Sequence, residues 1–174
     1  MLKRFQKKAL LKSSATASPS SLVIQGDAVQ IPEKLKVPDG NVELLKVHAK
    51  GYQVYVSQPG SDGNLAWVLK GPLAELFDEK GAVLGAHYAG PTWKLNDGSE
   101  VKGKMLEKSD ASESGAIPWL LIEIVNNSGS GMLKSAKYIH RVATKGGQPP
   151  TDPGAEKSES KTEYSADYYF YGAK

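Results

Sequence analysis

The chain predicts an all-β fold: a single-domain sandwich or barrel of about eight or nine short antiparallel strands. Three features lead there. The 18 glycines and 10 prolines act as punctuation between short apolar runs. Those runs are rich in β-branched and aromatic residues, which suit a pleated, half-buried surface. Turn-forming pairs such as Asp97-Gly98 separate them at regular spacing. No fixed-period repeat is visible.

Residues 28–174 form the predicted domain. "NVELLKVHAKG" and "GYQVYVSQ" read as the first strands, divided at Lys50-Gly51, and "LAWVLKGP" and "AELF" follow them. After the turn "DEKG" come "AVLGAHY", a break at Pro91, "TWKL" and "SEVKGKML". "AIPWLLIEIV" is a continuous apolar run, expected to be buried on both faces. "NNSGSG" leads to "AKYIHRVAT", and a loop rich in Gly, Pro and charge leads to the terminal strand "YSADYYFY".

The clearest hairpin is "TWKLNDGSEVKG". A loop of Asn96, Asp97 and Gly98 sets Trp93 against Val101, Lys94 against Glu100 and Leu95 against Ser99. That register yields an apolar pair and an opposite-charge pair on opposite faces. It also places Gly98 where a three-residue loop needs a left-handed backbone. From Gly98 the same stretch approximates a phosphate-binding loop, G-x-x-x-x-G-K. Met105 stands where a Ser or Thr would bind magnesium, and the segment is a strand rather than a strand–loop–helix unit. Nucleotide binding is therefore not expected, and no dinucleotide fingerprint appears elsewhere.

Composition narrows the function classes. Hydrophobic content of 40% sustains a core without metals or disulfides, and with no cysteine there is no thiol chemistry. The net charge of +3 is concentrated in the first twelve residues, where Lys3, Arg4, Lys7, Lys8 and Lys12 stand; the remainder is slightly acidic. A nucleic-acid footprint is not expected in the body of the chain. Residues 1–27 form a basic, Ser/Ala-rich tail with no acid until Asp27, too broken in its apolar runs for a membrane span. Leu2, Phe5 and Ala9 would share a helical face among lysines. This suits an organelle transit peptide or weak contact with a membrane surface; a solvated tail is the plainer reading.

The blocks "GNVELLKVHAKG", "HYAGPTWKLNDGSEVKGK", "GAIPWLL", "YIHRVATKGG" and "YSADYYFY" together resemble domain-of-unknown-function family 3455. Its members are small, usually secreted proteins of bacteria and fungi. The resemblance covers nearly all of the chain after the tail and implies no established activity. Relatives often carry cysteines near the positions of Ser57 and Pro153. Their absence here, with a leader unlike a secretory signal, implies a reducing compartment: a plastid, a mitochondrion or the cytoplasm.

Each candidate functional residue also has an ordinary packing role: a hydrogen-bonded core histidine for His87, core aromatics for Trp93, Trp119 and Phe170, and a structural ion pair for Glu123. His48, His87 and His140 lie on separate predicted strands, with no local metal-ligand spacing; no metal or cofactor is expected. His87 has small neighbours on its face, which leaves room for a pocket floor or for Trp93. Trp93, Trp119, Tyr138, Tyr164, Tyr168, Tyr169, Phe170 and Tyr171 are candidates to line an aromatic groove. Glu123 interrupts an apolar strand and needs a partner; Arg141 is its natural candidate, with Asp167 the competitor for that arginine. Asp97 is explained by its turn. The leading expectation is a non-catalytic binding or interaction module for a small apolar or carbohydrate-like ligand, drawing on His87, Trp93, Glu123, Tyr138, Arg141, Tyr168 and Tyr169. The alternatives are a hydrolase-type enzyme using His87 with a nearby carboxylate, and a structural, stress-associated protein. The oligomeric state is not legible.

Overall fold

The computed structural model describes residues 29–174. The basic leader, and with it the expected transit or membrane-surface role, lies outside the described residues. Eight antiparallel strands close into a barrel in chain order: β1 (Asn41–Pro59), β2 (Leu65–Phe77), β3 (Val83–Tyr88), β4 (Thr92–Leu95), β5 (Glu100–Ser109), β6 (Trp119–Ser128), β7 (Ala136–Gly146) and β8 (Glu159–Ala173). Of the two closures open to an all-β chain, the barrel is the one adopted. Closure comes from β1 pairing with β8 along most of both strands, from Asn41 opposite Ala173 to Val56 opposite Glu159. The ring closes in chain order, but β3 and β4 are short, so residues 65–72 of β2 and 104–109 of β5 run on without a strand partner on that side. Among the described residues, no helix is long and apolar enough to cross a membrane.

Several strands are longer than the punctuation implied. Lys50-Gly51 is not a turn, because β1 runs straight through it. Gly51 is there for closeness: a Cβ would lie 2.2 Å from the Leu73 carbonyl oxygen and 2.5 Å from the Ala74 Cα. Gly71-Pro72 likewise lies inside β2, next to a register shift at Val54/Tyr55 that leaves Lys70 without a partner across the pair. A bulge of this kind bends the strand and tightens its twist, which a small barrel needs. Two segments that read as four strands are therefore two long, bent ones.

The hairpin holds the expected register. Trp93 faces Val101 and Lys94 faces Glu100, with the Lys94 ammonium 3.8 Å from the carboxylate. Leu95 N–H donates to the Ser99 carbonyl at 2.9 Å, and Gly98 sits at φ 91°. Asp97 does more than shape its turn. Its carboxylate accepts from Ser99 N–H and Oγ–H and, across the barrel end, from Met132 N–H at 2.8 Å. These bonds, the Ser99 hydroxyl contact first, hold its pKa below the usual carboxylate range. They also pin the β6–β7 loop, whose Leu133 is fully buried in the core and stoppers this end.

The interior follows strand parity. On β1 the odd residues Val47, Ala49, Gln53, Tyr55 and Ser57 are buried; on β8 the even residues Tyr164, Ala166, Tyr168 and Phe170 are. Trp93 fills the centre, and only glycine fits beside its ring at the next inward position of β5, since a Cβ on Gly103 would stand 2.4 Å from Ile122 and 3.0 Å from the indole. A second, smaller cluster lies outside the wall. The segment before β1, with a single 3-10 turn at Glu33–Leu35, lays Val29, Ile31, Leu35 and Val37 over Trp119, Leu121, Val142, Tyr138 and Tyr169. "AIPWLLIEIV" is thus buried on both faces in its first half, Ile122 inside the barrel and Leu121 under this strap. Its later Val125 is exposed.

Gly98 has open space around it, its nearest neighbour being the Ser130 carbonyl at 3.9 Å, so a substitution there is penalised by backbone conformation and not by a clash. Gly98→Val is expected to lower unfolding free energy by about 1 kcal/mol or more. Urea denaturation of the two proteins checks this; an unchanged midpoint would contradict the left-handed loop.

Candidate functional site

Opposite the end stoppered by Leu133, the barrel holds a cavity of about 270 Å³. Its lining comes from all eight strands and from the β3–β4 turn at Gly90-Pro91. The walls are largely apolar, with Pro72, Leu120, Ile122 and Trp93 inside and Leu69 and Met105 at the rim. The last two are about half exposed although both sit at inward-facing positions of their strands. Polar groups are few: His87, Gln53, Arg141 and Tyr168 converge within, and Lys70, paired with Glu159, stands at the rim.

His87 is built into the wall. Its ring stacks on Trp93, centroids 4.2 Å apart and planes 12° from parallel, with Tyr168 edge-on at 5.1 Å. Nδ1–H donates to the Thr92 carbonyl at 2.8 Å, which leaves Nε2 its lone pair. Burial, opposed only in part by that hydrogen bond, pushes its pKa down to about 3, and the positive charge of Arg141 works in the same direction. The imidazole is therefore neutral, and no carboxylate is hydrogen-bonded to it. The expected pairing of His87 with an acid is not made.

Arg141 is held from one side only. Its Nε–H and Nη2–H donate to the Pro118 carbonyl at 3.1 and 2.8 Å. Pro118 is fixed in turn by its neighbour Ile117, whose N–H donates to Gly146 and whose carbonyl accepts from Thr144 Oγ at 2.6 Å. A β7 bulge between Val142 and Lys145, with Ala143 at φ 49°, lets Val142 point outward under the strap while Thr144 reaches that carbonyl. Glu123 does not pair with Arg141. On β6 it stands opposite Tyr138, on the outer face, whereas Arg141 stands opposite Leu120 and points inward. Strand parity separates them by the thickness of the wall.

The remaining candidates divide between the same two faces. Tyr168 is fully buried inside; among the described residues neither its hydroxyl nor that of Tyr164 makes a well-formed hydrogen bond, although the two phenols lie near enough to interact and Arg141 acts on Tyr168. Burial raises the pKa of both phenols, and the Arg141 charge opposes the rise. Tyr138 and Tyr169 lie outside, packed into the strap cluster, with the Lys46 ammonium 5.4 Å from the Tyr169 ring. The single aromatic groove expected from these residues is not formed: His87, Trp93, Arg141 and Tyr168 share the cavity, and Glu123, Tyr138 and Tyr169 do not.

The histidines do not gather around one point. His140 is outward, buried under the strap, and its Nε2–H donates to the Leu35 carbonyl at 2.5 Å. His48 is outward on β1 opposite Asp167, with Nδ1 2.7 Å from the carboxylate, so Asp167 is claimed by His48 and not by Arg141. This pair borders an open depression of about 500 Å³ lined by Lys46, Lys50, Asp78 and Glu79 among others, with no Ser or Thr. Among the described residues, no three His, Asp or Glu side chains are grouped to hold a metal ion.

Two interior polar residues escaped the sequence reading. Gln53 and Tyr55 share the phase of Val47 and Ala49, a signal that appears only when β1 is read through Gly51 as one strand. Tyr55 Oη–H donates to the Gly147 carbonyl at 2.6 Å, whereas Gln53 lines the cavity.

Residues 38–172 match the profile of a family described as "Protein of unknown function (DUF3455)". No curated protein and no solved structure matches the chain.

The buried imidazole fixes the sign of one pH effect. His87 is neutral in the fold, whereas in the unfolded chain it binds a proton below about pH 6.5. Its contribution is therefore complete above that value and is lost as pH falls toward about 3. Between pH 7 and pH 4 it should account for roughly 3 kcal/mol of lost stability that His87→Phe does not show. Urea curves of both proteins at several pH values test this; parallel losses would refute it.

Proposed function

The chain belongs to the DUF3455 family of proteins of unknown function, and from its own geometry we propose that it is a non-catalytic binding protein whose barrel takes up a small, largely apolar molecule. The cavity at the unstoppered end carries this reading. It lies just below the ~300–1,000 Å³ typical of small-molecule sites, and it has their usual character of apolar walls with a few convergent polar groups. Apolar Leu69 and Met105 exposed at its rim suit entry of a greasy body better than of a sugar.

The arrangement offers less to a hydrolase. Acid–base work at neutral pH needs a group that titrates near neutrality, and His87 is held far below that by burial. The Nδ1 proton that a carboxylate would orient is given to the Thr92 carbonyl. The His48–Asp167 pair lies on the outer wall, away from the cavity, and its depression offers no hydroxyl nucleophile. A purely structural role leaves the internal cavity without a purpose.

Leu120 faces the cavity from β6 and is only partly buried. The neutral fluorophore N-phenyl-1-naphthylamine should bind the full chain saturably, with blue-shifted emission. Leu120→Trp, which fills the space, should weaken it at least tenfold while the cooperative thermal transition is kept. Absence of binding to the natural chain, or equal binding by both, would overturn the reading.

A further inference from the structure

The cavity contains a charge without a counter-charge. Every carboxylate in the neighbourhood is accounted for elsewhere: Glu123 is outside the wall, Asp167 is bonded to His48, and Glu159 is paired with Lys70 at the rim. No Asp or Glu lines the cavity. The guanidinium uses one edge on the Pro118 carbonyl, while among the described residues Nη1 and the second Nη2 hydrogen have no carbonyl or carboxylate partner. Its positive field reaches Tyr55, Tyr164, Tyr168 and His87 alike.

The phenol of Tyr168 supplies an independent observation. It lines the same cavity, it is fully buried, and among the described residues its hydroxyl makes no well-formed hydrogen bond, with only the Tyr164 and Arg141 side chains near enough to interact with it. A buried hydroxyl left unpaired is costly, and so is a half-desolvated guanidinium with idle donors. Gln53, 2% exposed, adds an amide to this wall. These are donors in want of one acceptor, inside an otherwise apolar chamber.

We infer that the occupant is an amphiphilic acid, a monoanion whose carboxylate meets the open edge of Arg141 and the Tyr168 hydroxyl while its apolar body lies against the apolar walls toward Leu69 and Met105. An end-on carboxylate accepts two N–H bonds from a guanidinium in one plane, which a phosphate-free hydrocarbon or an alcohol does not. Neutral His87 with an Nε2 lone pair does not compete for the anion, and the stack on Trp93 keeps it in place.

This inference rests on the binding reading above, and its test is chosen to fail separately from it. Calorimetric titration of the full chain with octanoate and with 1-octanol at pH 7.5 compares one body with and without the charge. Octanoate should bind at least tenfold more tightly. Arg141→Gln should abolish that preference while N-phenyl-1-naphthylamine still binds, and Arg141→Lys should restore part of it. Tyr168→Phe, which keeps the ring, should weaken octanoate several-fold and leave octanol unchanged, a second route if the arginine variants do not fold. Equal affinities for octanoate and octanol in the natural chain, or a preference that survives Arg141→Gln, would overturn the acid assignment while leaving a binding barrel. Failure of the neutral fluorophore to bind the natural chain would remove the barrel reading itself.

Discussion

The pairing of β1 with β8 determines what is inside this protein. It joins the first and last strands, so none of the interior exists as a protected space until the chain is nearly complete. The register, His48 opposite Asp167 and Ala49 opposite Ala166, settles which residues of each strand look in. A slip by one residue would turn His48 inward and Val47 out, and would exchange Tyr168 for Asp167 in the core. The period of two makes such an error all or nothing. Closure by non-local contacts also predicts slow folding relative to a helical chain of this length, because loop entropy is lost before the contacts that reward it are made.

Within that frame the barrel is packed unevenly. The end carrying Leu95, Val101, Leu133 and Phe170 is solid, tied by Asp97 to the β6–β7 loop. At the other end small and polar residues replace large apolar ones, and the closing layer is incomplete. Polar side chains near that layer are fastened by backbone carbonyls: His87 by Thr92, Tyr55 by Gly147, Thr144 by Ile117 and Arg141 by Pro118. Carbonyls satisfy donors without bringing negative charge. They orient the arginine and leave its positive charge unneutralised.

The outer cluster solves a different problem. β6 and β7 carry apolar residues on both faces, and a barrel wall facing water on its outside would leave Trp119, Leu121 and Val142 wet. The segment around Leu35 covers them, anchored by the bond from His140 to the Leu35 carbonyl. Burial there holds the His140 pKa below its ordinary value. The aromatic residues Tyr138 and Tyr169 are part of this cover and not of the cavity, so two apolar systems share the same strands, back to back.

The sequence by itself determined the class of fold and the hairpin register, because turn chemistry and period-two alternation act over a few residues: Asp97-Gly98 dictates its loop, and Trp93 opposite Val101 follows from it. It also marked His87, Trp93, Arg141 and Tyr168 as worth attention. It did not determine strand length, because Gly51 and Gly71 look like punctuation when their reason is close approach to β2 and β3, an approach that local sequence does not encode. Nor did it determine partners. Glu123 and Arg141 are complementary in charge, and only the closed sheet, by placing one outside and the other within, decided that they never meet. Which side of a strand faces the axis is a property of the completed ring, and so the site was settled by tertiary structure alone.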